Sequence, residues 1–285
     1  MVRRTRQTIV GTIAVGLLLS SVAAGLAADT VPENDALNAT LWESNSVEYR
    51  GNTIGAYELA KIRLDQALAD KSWSALGQTN VEDRPPAVIL DADETILDNG
   101  PYEAWLIKTR HDFSSKTWNA WVAAAVAKAV PGAVEFTQYA DGKGVKVFYV
   151  TNRTADQEEA TRRNMAALGF PMGGNTNTFL MVKGRDDWTQ KKGTRRDFVA
   201  KDYRVLLLFG DQYGDFSDDF DGSEADREKS FDANKAHFGH DWIVIANPEY
   251  GSFESAPFQA NYKLSADERR QKKLDALRAW DGPQE

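Results

Sequence analysis

Two acids separated by one residue stand at the centre of any chemistry this chain can do. They are Asp91 and Asp93, in the run Val88-Ile89-Leu90-Asp91-Ala92-Asp93-Glu94-Thr95. The apolar stretch Ala87–Leu90 has the length and composition of a buried strand, so the pair lies where a strand leaves the core. Buried carboxylates this close need compensating charge, and one physical solution is a divalent cation. Asp91 then keeps a bare oxygen able to attack phosphorus, with Mg²⁺ screening the approach of two anions. Asp93 can protonate a leaving oxygen and afterwards activate water. The competing reading is an acidic surface turn, and the burial that Val88-Ile89-Leu90 demands speaks against it.

Three further clusters suit the same chemistry. A second apolar run ends in Tyr149-Val150-Thr151-Asn152-Arg153, where the Thr151 hydroxyl can donate to a phosphoryl oxygen and Asn152 can assist. Taken alone, these residues also suit a helix N-terminus. Lys191 and Lys192 precede a helical pattern in Gln190-Lys-Lys-Gly-Thr-Arg-Arg196, and either could neutralise a nucleophile and a phosphoryl group. A later apolar run ends in Phe209-Gly210-Asp211-Gln212-Tyr213-Gly214-Asp215-Phe216, whose two acids, four apart, can serve one metal directly and through water. The joint placement of all four clusters after successive strands is far more specific than any one of them.

Composition narrows the chemistry from the other side. The chain has 285 residues, no Cys, three His and a net charge of -8. Without Cys there are no disulfides, thiolate metal sites, Cys nucleophiles or cysteine-linked lipids. The histidines, His111, His237 and His240, form no His-Glu-x-x-His and flank no Gly-x-Ser-x-Gly, so reactions should run on carboxylates. The acidic balance argues against binding nucleic-acid polymers.

The elements that must position these residues are legible as well. Five short apolar runs, Ala87–Leu90, Val145–Val150, Thr178–Val182, Val205–Phe209 and Trp242–Ala246, alternate with helical patterns. They predict a doubly wound α/β fold with a parallel sheet. Residues 35–70 read as one or two helices. Pro131 opens another, ending at Gly142 or Gly144. Thr154 with Gln157 forms a capping box for a helix stopping near Gly169, and Ser265 with Glu268 does so for a last helix reaching Trp280. About forty residues separate Asp91 from the helix at Pro131, too many for an ordinary loop. This insert, about 96–130, holds Tyr102, Trp105, Trp118 and Trp121 and predicts an aromatic cap beside the site. The N-terminal helices of 29–86, and the C-terminal helix of 263–285, are expected to join it in a small helical subdomain around a core of 87–262.

At this point the sequence resembles the haloacid dehalogenase (HAD) superfamily of phosphohydrolases, and within it the bacterial class C acid phosphatases of the 5′-nucleotidase, lipoprotein e type. The likeness rests on Asp91-Ala-Asp-Glu-Thr-Ile-Leu-Asp-Asn-Gly-Pro-Tyr102, Ala129-Val-Pro-Gly-Ala-Val-Glu-Phe136 and Val147-Phe-Tyr-Val-Thr-Asn-Arg153. Gly210-Asp211 with Asp215-Phe216, Asn247 with Tyr250-Gly251, and Ala279-Trp-Asp-Gly282 extend it, as does Trp42-Glu-Ser near the N-terminus. The resemblance implies a nucleophile at Asp91 that forms an aspartyl-phosphate. It implies a general acid/base at Asp93, whose backbone carbonyl also binds Mg²⁺, a metal ligand at Asp211, and Asp215 behind it. Thr151 and a lysine would hold the phosphoryl group, and the Lys-x-x-Arg-Arg spacing selects Lys192. Trp118 and Tyr250, with Tyr102 nearby, would stack on a substrate base. A homodimer is implied too. The chain departs from the family in having no cysteine to acylate, and in the residues flanking Asp211 and Asp215.

The N-terminus reads as an address. Arg3, Arg4 and Arg6 precede an apolar run from Ile9 to Leu19 and a small-residue stretch ending at Ala28. That order predicts a signal peptide over 1–28, cleaved to leave a soluble periplasmic or secreted protein of net charge -11 without a membrane anchor. The expected activity is Mg²⁺-dependent hydrolysis of phosphomonoesters such as nucleoside monophosphates. The alternatives are a broad acid phosphatase indifferent to the base, and a non-catalytic binding or uptake protein on the same fold.

Overall fold

The computed structural model describes residues 34–219, 222–280 and 282; the expected signal peptide lies outside them. Among the described residues seven strands are formed: β1 (Pro86–Leu90), β2 (Leu97–Asp98), β3 (Lys128–Ala129), β4 (Lys146–Thr154), β5 (Phe179–Val182), β6 (Arg204–Gly210) and β7 (Trp242–Val244). Five make one sheet in the order β5-β4-β1-β6-β7, all neighbours parallel. The helices are α1 (Leu37–Asn45), α2 (Val47–Ala69), α3 (Gly100–Thr109), α4 (Ser115–Ala124), α5 (Ala133–Gly142), α6 (Glu158–Leu168), α7 (Gly193–Asp202), α8 (Glu224–Asn234), α9 (Ser252–Ser255) and α10 (Ala266–Asp275).

The two-residue period of the strands makes two cores. Val88 and Leu90 of β1 and Val147 and Tyr149 of β4 face Tyr57 and Leu64 of α2, Phe136 of α5 and Met165 of α6. Ala87 and Ile89, with Phe148 and Val150, face the other way onto Trp188 and Val199. Strands apolar on both faces thus force helices onto both sides of the sheet, the doubly wound α/β arrangement the sequence predicts. Burying each such side chain contributes about 1.5–3 kcal/mol.

The insert is closed at its base by an antiparallel pairing of β2 with β3, Leu97 against Ala129 and Asp98 against Lys128. Between them α3 and α4 carry the aromatic residues, and Tyr102 packs against the rings of Trp105, Trp118 and Trp121. The N-terminal helices divide at Ser46, whose side chain accepts the Tyr49 N–H at 2.9 Å. Helix α1 lies against α3, whereas α2 is built into the core on the sheet.

One terminal expectation is corrected. The Ser265–Glu268 capping box is present, but α10 ends at Asp275, and Trp280, 82% exposed, lies beyond it. Helix α10 buries none of its residues, so no apolar face carries it further. Among the described residues, no helix is long and apolar enough to cross a membrane.

Candidate active site

Four strand ends converge. Leu90 of β1 pairs with Phe209 of β6, which sets Asp91 beside Gly210 and Asp211. The Asp91 N–H donates to the Phe209 carbonyl at 3.1 Å, tying the two acids to one rung. Gly210 is required here because a Cβ would lie 2.2 Å from the Cβ of Asp215. Its absence lets the turn after β6 fold Asp215 back against the strand, where the Gln212 N–H donates to its Oδ2 at 2.9 Å.

Lys192, at the N-terminal boundary of α7, enters this cluster. It is 5% exposed, and its Nζ donates to Asp91 Oδ1 and, at 2.6 Å, to Asp215 Oδ1. Burial alone would lower the lysine pKa, yet the charges of Asp215 and Asp91 raise it above the ordinary value. Lys191 is exposed and reaches the Asp218 carbonyl instead. Burial raises Asp91 well above the usual carboxylate range, with Lys192 opposing and Asp215, Asp211 and Asp93 adding to it. Burial, then Asp215, pushes Asp211 up to about 7 against the opposing pull of Asn247 and Lys192. Asp211 Oδ1 accepts from Thr95 at 3.1 Å and Oδ2 from the Asn247 amide at 2.8 Å.

Asp91, Asp211 and Asp215 each offer an oxygen within 4.8 Å of the others. An all-carboxylate set of this size fits a hard divalent cation.

The side chain of Asp93 leaves the cluster. The Arg153 guanidinium donates to its Oδ1 at 2.8 and 3.0 Å, and the Asn99 amide does so at 2.9 Å. Asn99 is itself held through Oδ1 by the Trp121 indole N–H at 2.8 Å, so the insert orients the acid. Two aspartates two residues apart therefore occupy different surroundings, one beside a lysine and two acids, the other in the grip of a guanidinium and an amide.

Strand β4 runs on to Thr154, past the expected end at Val150, and this carries Asn152 and Arg153 to the cavity walls while Thr151 lines neither hollow. Thr151 is fully buried and its Oγ1 accepts the Arg153 N–H at 3.1 Å. Asn152 forms the cavity wall, its Oδ1 accepting from Arg195 at 2.8 Å. Buried Arg195 also donates to the Thr151 carbonyl, bracing the strand end from behind.

Two adjoining hollows result. One, about 190 Å³, is lined by Asp91, Asp211, Asp215 and Lys192. The other is a cleft of about 740 Å³ walled by Trp118, Phe113 and Arg153. Asp93, Asn152 and Tyr250 line both and mark the junction. Tyr102 is buried within the cap, its hydroxyl on Thr117 at 3.0 Å, and is not part of either wall.

Arg153, Asn99, Trp121 and Arg195 hold the geometry, yet sequence reasoning placed Trp121 only in the aromatic cap and assigned the other three no role. For Arg153 the signal was present, because strand alternation puts it on the same side as Thr151. Asn99 lies only six residues beyond Asp93, whereas Trp121 and Arg195 reach the site across 22 and 44 residues with no local pattern to announce it.

A family model described as HAD superfamily, subfamily IIIB (acid phosphatase) matches residues 12–253. The fold superposes on the class C acid phosphatase from Bacillus anthracis, solved with tungstate bound, at a TM-score of 0.77 and 33% identity over 86% of this chain and 98% of that one. A second structure of that phosphatase gives a TM-score of 0.76 at the same identity and coverage. Acid phosphatase 1 of Solanum lycopersicum is 29% identical over 160 residues, 54% of this chain and 61% of its own length. For the stem 28 kDa glycoprotein of Glycine max the share of its own length is 51%. The chain thus spans between 44% and 61% of the length of these and two further curated relatives.

Proposed function

Because the chain belongs to the acid phosphatases of subfamily IIIB of the HAD superfamily, we propose that it hydrolyses phosphomonoesters, nucleoside monophosphates among them, through an aspartyl-phosphate on Asp91. The observation that carries this reading is the position of Asp93 at the junction of the two hollows. A phosphoryl group seated in the smaller hollow leaves its ester oxygen beside Asp93 and its organic group in the aromatic cleft. The Bacillus anthracis enzyme was solved with tungstate bound, an oxyanion of phosphate-like shape, which supports a substrate bearing a phosphate-like group.

The steps balance on this chain's own residues. An Asp91 carboxylate oxygen attacks phosphorus, the bond to the ester oxygen breaks, and the Asp93 proton passes to the departing oxygen. Asp93, now a carboxylate, takes a proton from water as the water oxygen attacks phosphorus. The bond from phosphorus to Asp91 then breaks, releasing phosphate. Arg153 and Asn99 hold Asp93 in line for both transfers, and Lys192 balances the negative charge gathering beside Asp91. A bound Mg²⁺, held by Asp91, Asp211 and Asp215 with the Asp93 backbone carbonyl, would supply further screening between the two anions.

The cleft supports planar leaving groups. Trp118 forms its wall with Tyr250 at the junction, and the Arg153 guanidinium lies 5.5 Å from the Trp118 ring centre. Stacking on an aromatic side chain is worth about 1–3 kcal/mol per base. Trp118→Ala should therefore reduce kcat/KM for a nucleoside monophosphate relative to a sugar phosphate by roughly tenfold. An unchanged ratio would assign the enzyme to broad-specificity hydrolysis. The basic, apolar and small-residue order of residues 1–28 supports export, and light scattering would read the homodimer that the resemblance implies.

A further inference from the structure

A second buried acid cluster lies outside the catalytic set. Glu43, Glu94 and Glu249 each offer an oxygen within 4.8 Å of the others. Glu43 comes from α1, Glu94 from the turn after β1 and Glu249 from the segment after β7. The three are separated in sequence, and the fold spends burial to bring them together. Glu94 itself takes a left-handed φ of 55°, a conformation uncommon for a residue with a side chain.

No cation stands among the strongest charges on Glu43 and Glu94, as Lys192 does on Asp91. The charges acting most strongly on Glu43 are Glu249, Asp98 and Asp211, all acidic. Those on Glu94 are Asp93, Asp211, Glu43 and Glu249. Several oxygens are also left over. Both Glu249 carboxylate oxygens, Glu43 Oε2 and Thr40 Oγ1 are buried without a hydrogen-bond partner. Their residues are 8%, 4% and 4% exposed, and Thr40 and Glu43 lie close enough to Glu249 to favour its charged form without completing a well-formed hydrogen bond. Thr40 and Glu43 are three apart on α1, so one helix face presents both. The remaining acceptors are engaged and keep the cluster in place. Tyr250 donates to Glu94 Oε2, the Asn99 N–H to Glu94 Oε1 at 3.1 Å, and Tyr49 to Glu43 Oε1 at 3.5 Å.

Buried polar atoms are nearly always satisfied, and an orphaned set of this kind calls for a partner that accepts oxygen lone pairs. Carboxylate oxygens only accept, so they cannot satisfy one another as anions. A hard cation with six to eight oxygen ligands meets both needs, since it neutralises the charge and takes the free oxygens. We propose that Glu43, Glu94, Glu249 and the Thr40 hydroxyl form a second divalent-cation site, of calcium type, that fastens α1 to the two segments framing the catalytic cavity. Tyr250, which lines that cavity, is held by this cluster through Glu94. The site is structural and stands apart from Asp91, Asp211 and Asp215, so it does not depend on the reaction proposed above.

Terbium luminescence tests it, because Tyr49 and Tyr250 touch the cluster and can sensitise a bound Tb³⁺. The full chain at mildly alkaline pH should give tyrosine-excited Tb³⁺ emission that Ca²⁺ displaces. Emission should survive Asp91→Asn with Asp211→Asn, and should disappear in Glu43→Gln with Glu249→Gln of unchanged circular dichroism. Equilibrium dialysis should then find one Ca²⁺ per chain in the aspartate variant. Emission lost with the aspartates, or retained by the folded glutamine pair, overturns the proposal. If the pair fails to fold, the single Glu249→Gln serves: Ca²⁺ affinity should fall at least tenfold, and unchanged affinity overturns the site.

Discussion

The two buried acid clusters carry similar charge and differ in what balances it. Asp91, Asp211 and Asp215 share a lysine buried between two of them, plus donors from Thr95 and Asn247. Glu43 and Glu94 receive hydrogen bonds from tyrosines and one backbone N–H, Glu249 keeps both oxygens unpartnered, and no cation is among their strongest neighbours. The first cluster therefore carries its own counter-charge beside an open cavity, and Lys192 opposes the burial that raises Asp91. The second is set up to hold either protons or a metal, which a fastening requires. Burial alone marks neither as functional; the partner of the charge does.

The contrast can be broken by removing each partner in turn. Asp91→Asn deletes the attacking oxygen while keeping the shape, so kcat/KM on a nucleoside monophosphate should fall by roughly 10⁴-fold or more. A variant close to wild type would remove the nucleophile from the mechanism. Lys192→Met strands Asp91 and Asp215 without a counter-charge. Breaking a buried pair in this way costs about 3–5 kcal/mol, and urea unfolding of the metal-free protein should show it. Added Mg²⁺ should recover part of that loss, because the acids can share another cation. A loss unaffected by Mg²⁺ would mean that the lysine's role is packing alone.

The smallest effect belongs to the glutamates. Burial above all raises Glu43 from 4.5 to about 9 and Glu249 from 4.5 to about 7. Between the unfolded and folded values the native state holds more protons than the unfolded one. Stability of the cation-free protein should therefore fall as pH rises from about 4.5 toward 9. Glu249→Gln should flatten that decline between about 4.5 and 7, measured as Tm against pH. A decline of the same slope in the variant would place the titrating group elsewhere.

Much of the fold and the catalytic cluster was legible in the sequence, and the reason is periodicity. Strands apolar on both faces announce a parallel sheet, and the residues just beyond the carboxyl ends of its strands must gather at one edge. Asp91, Asp211 and the Lys192 region could therefore be named from the chain alone. The glycine at 210 and the acid at 215 were readable as a pair, although the close approach that requires the glycine was not. Helix α2 was harder to place. Its apolar positions say that it is buried, and only the partners Val88 and Phe209 say that it belongs to the sheet rather than the cap. Tyr102 illustrates the same limit, since an aromatic residue near a site reads alike whether it lines the wall or supports it. The glutamate cluster has no sequence signature at all. Its members come from 43, 94 and 249, and only the tertiary fold brings them within reach of one another.

The central claim is that Asp91 becomes covalently bonded to phosphorus. The stereochemistry at phosphorus tests it most directly, using a phosphorothioate monoester made chiral with oxygen isotopes and cleaved in water that carries the remaining isotope. Each in-line displacement inverts the centre. Attack by Asp91 and then by water makes two displacements, so a covalent intermediate predicts net retention of configuration in the thiophosphate released. Net inversion would mean a single displacement by water, and would contradict it.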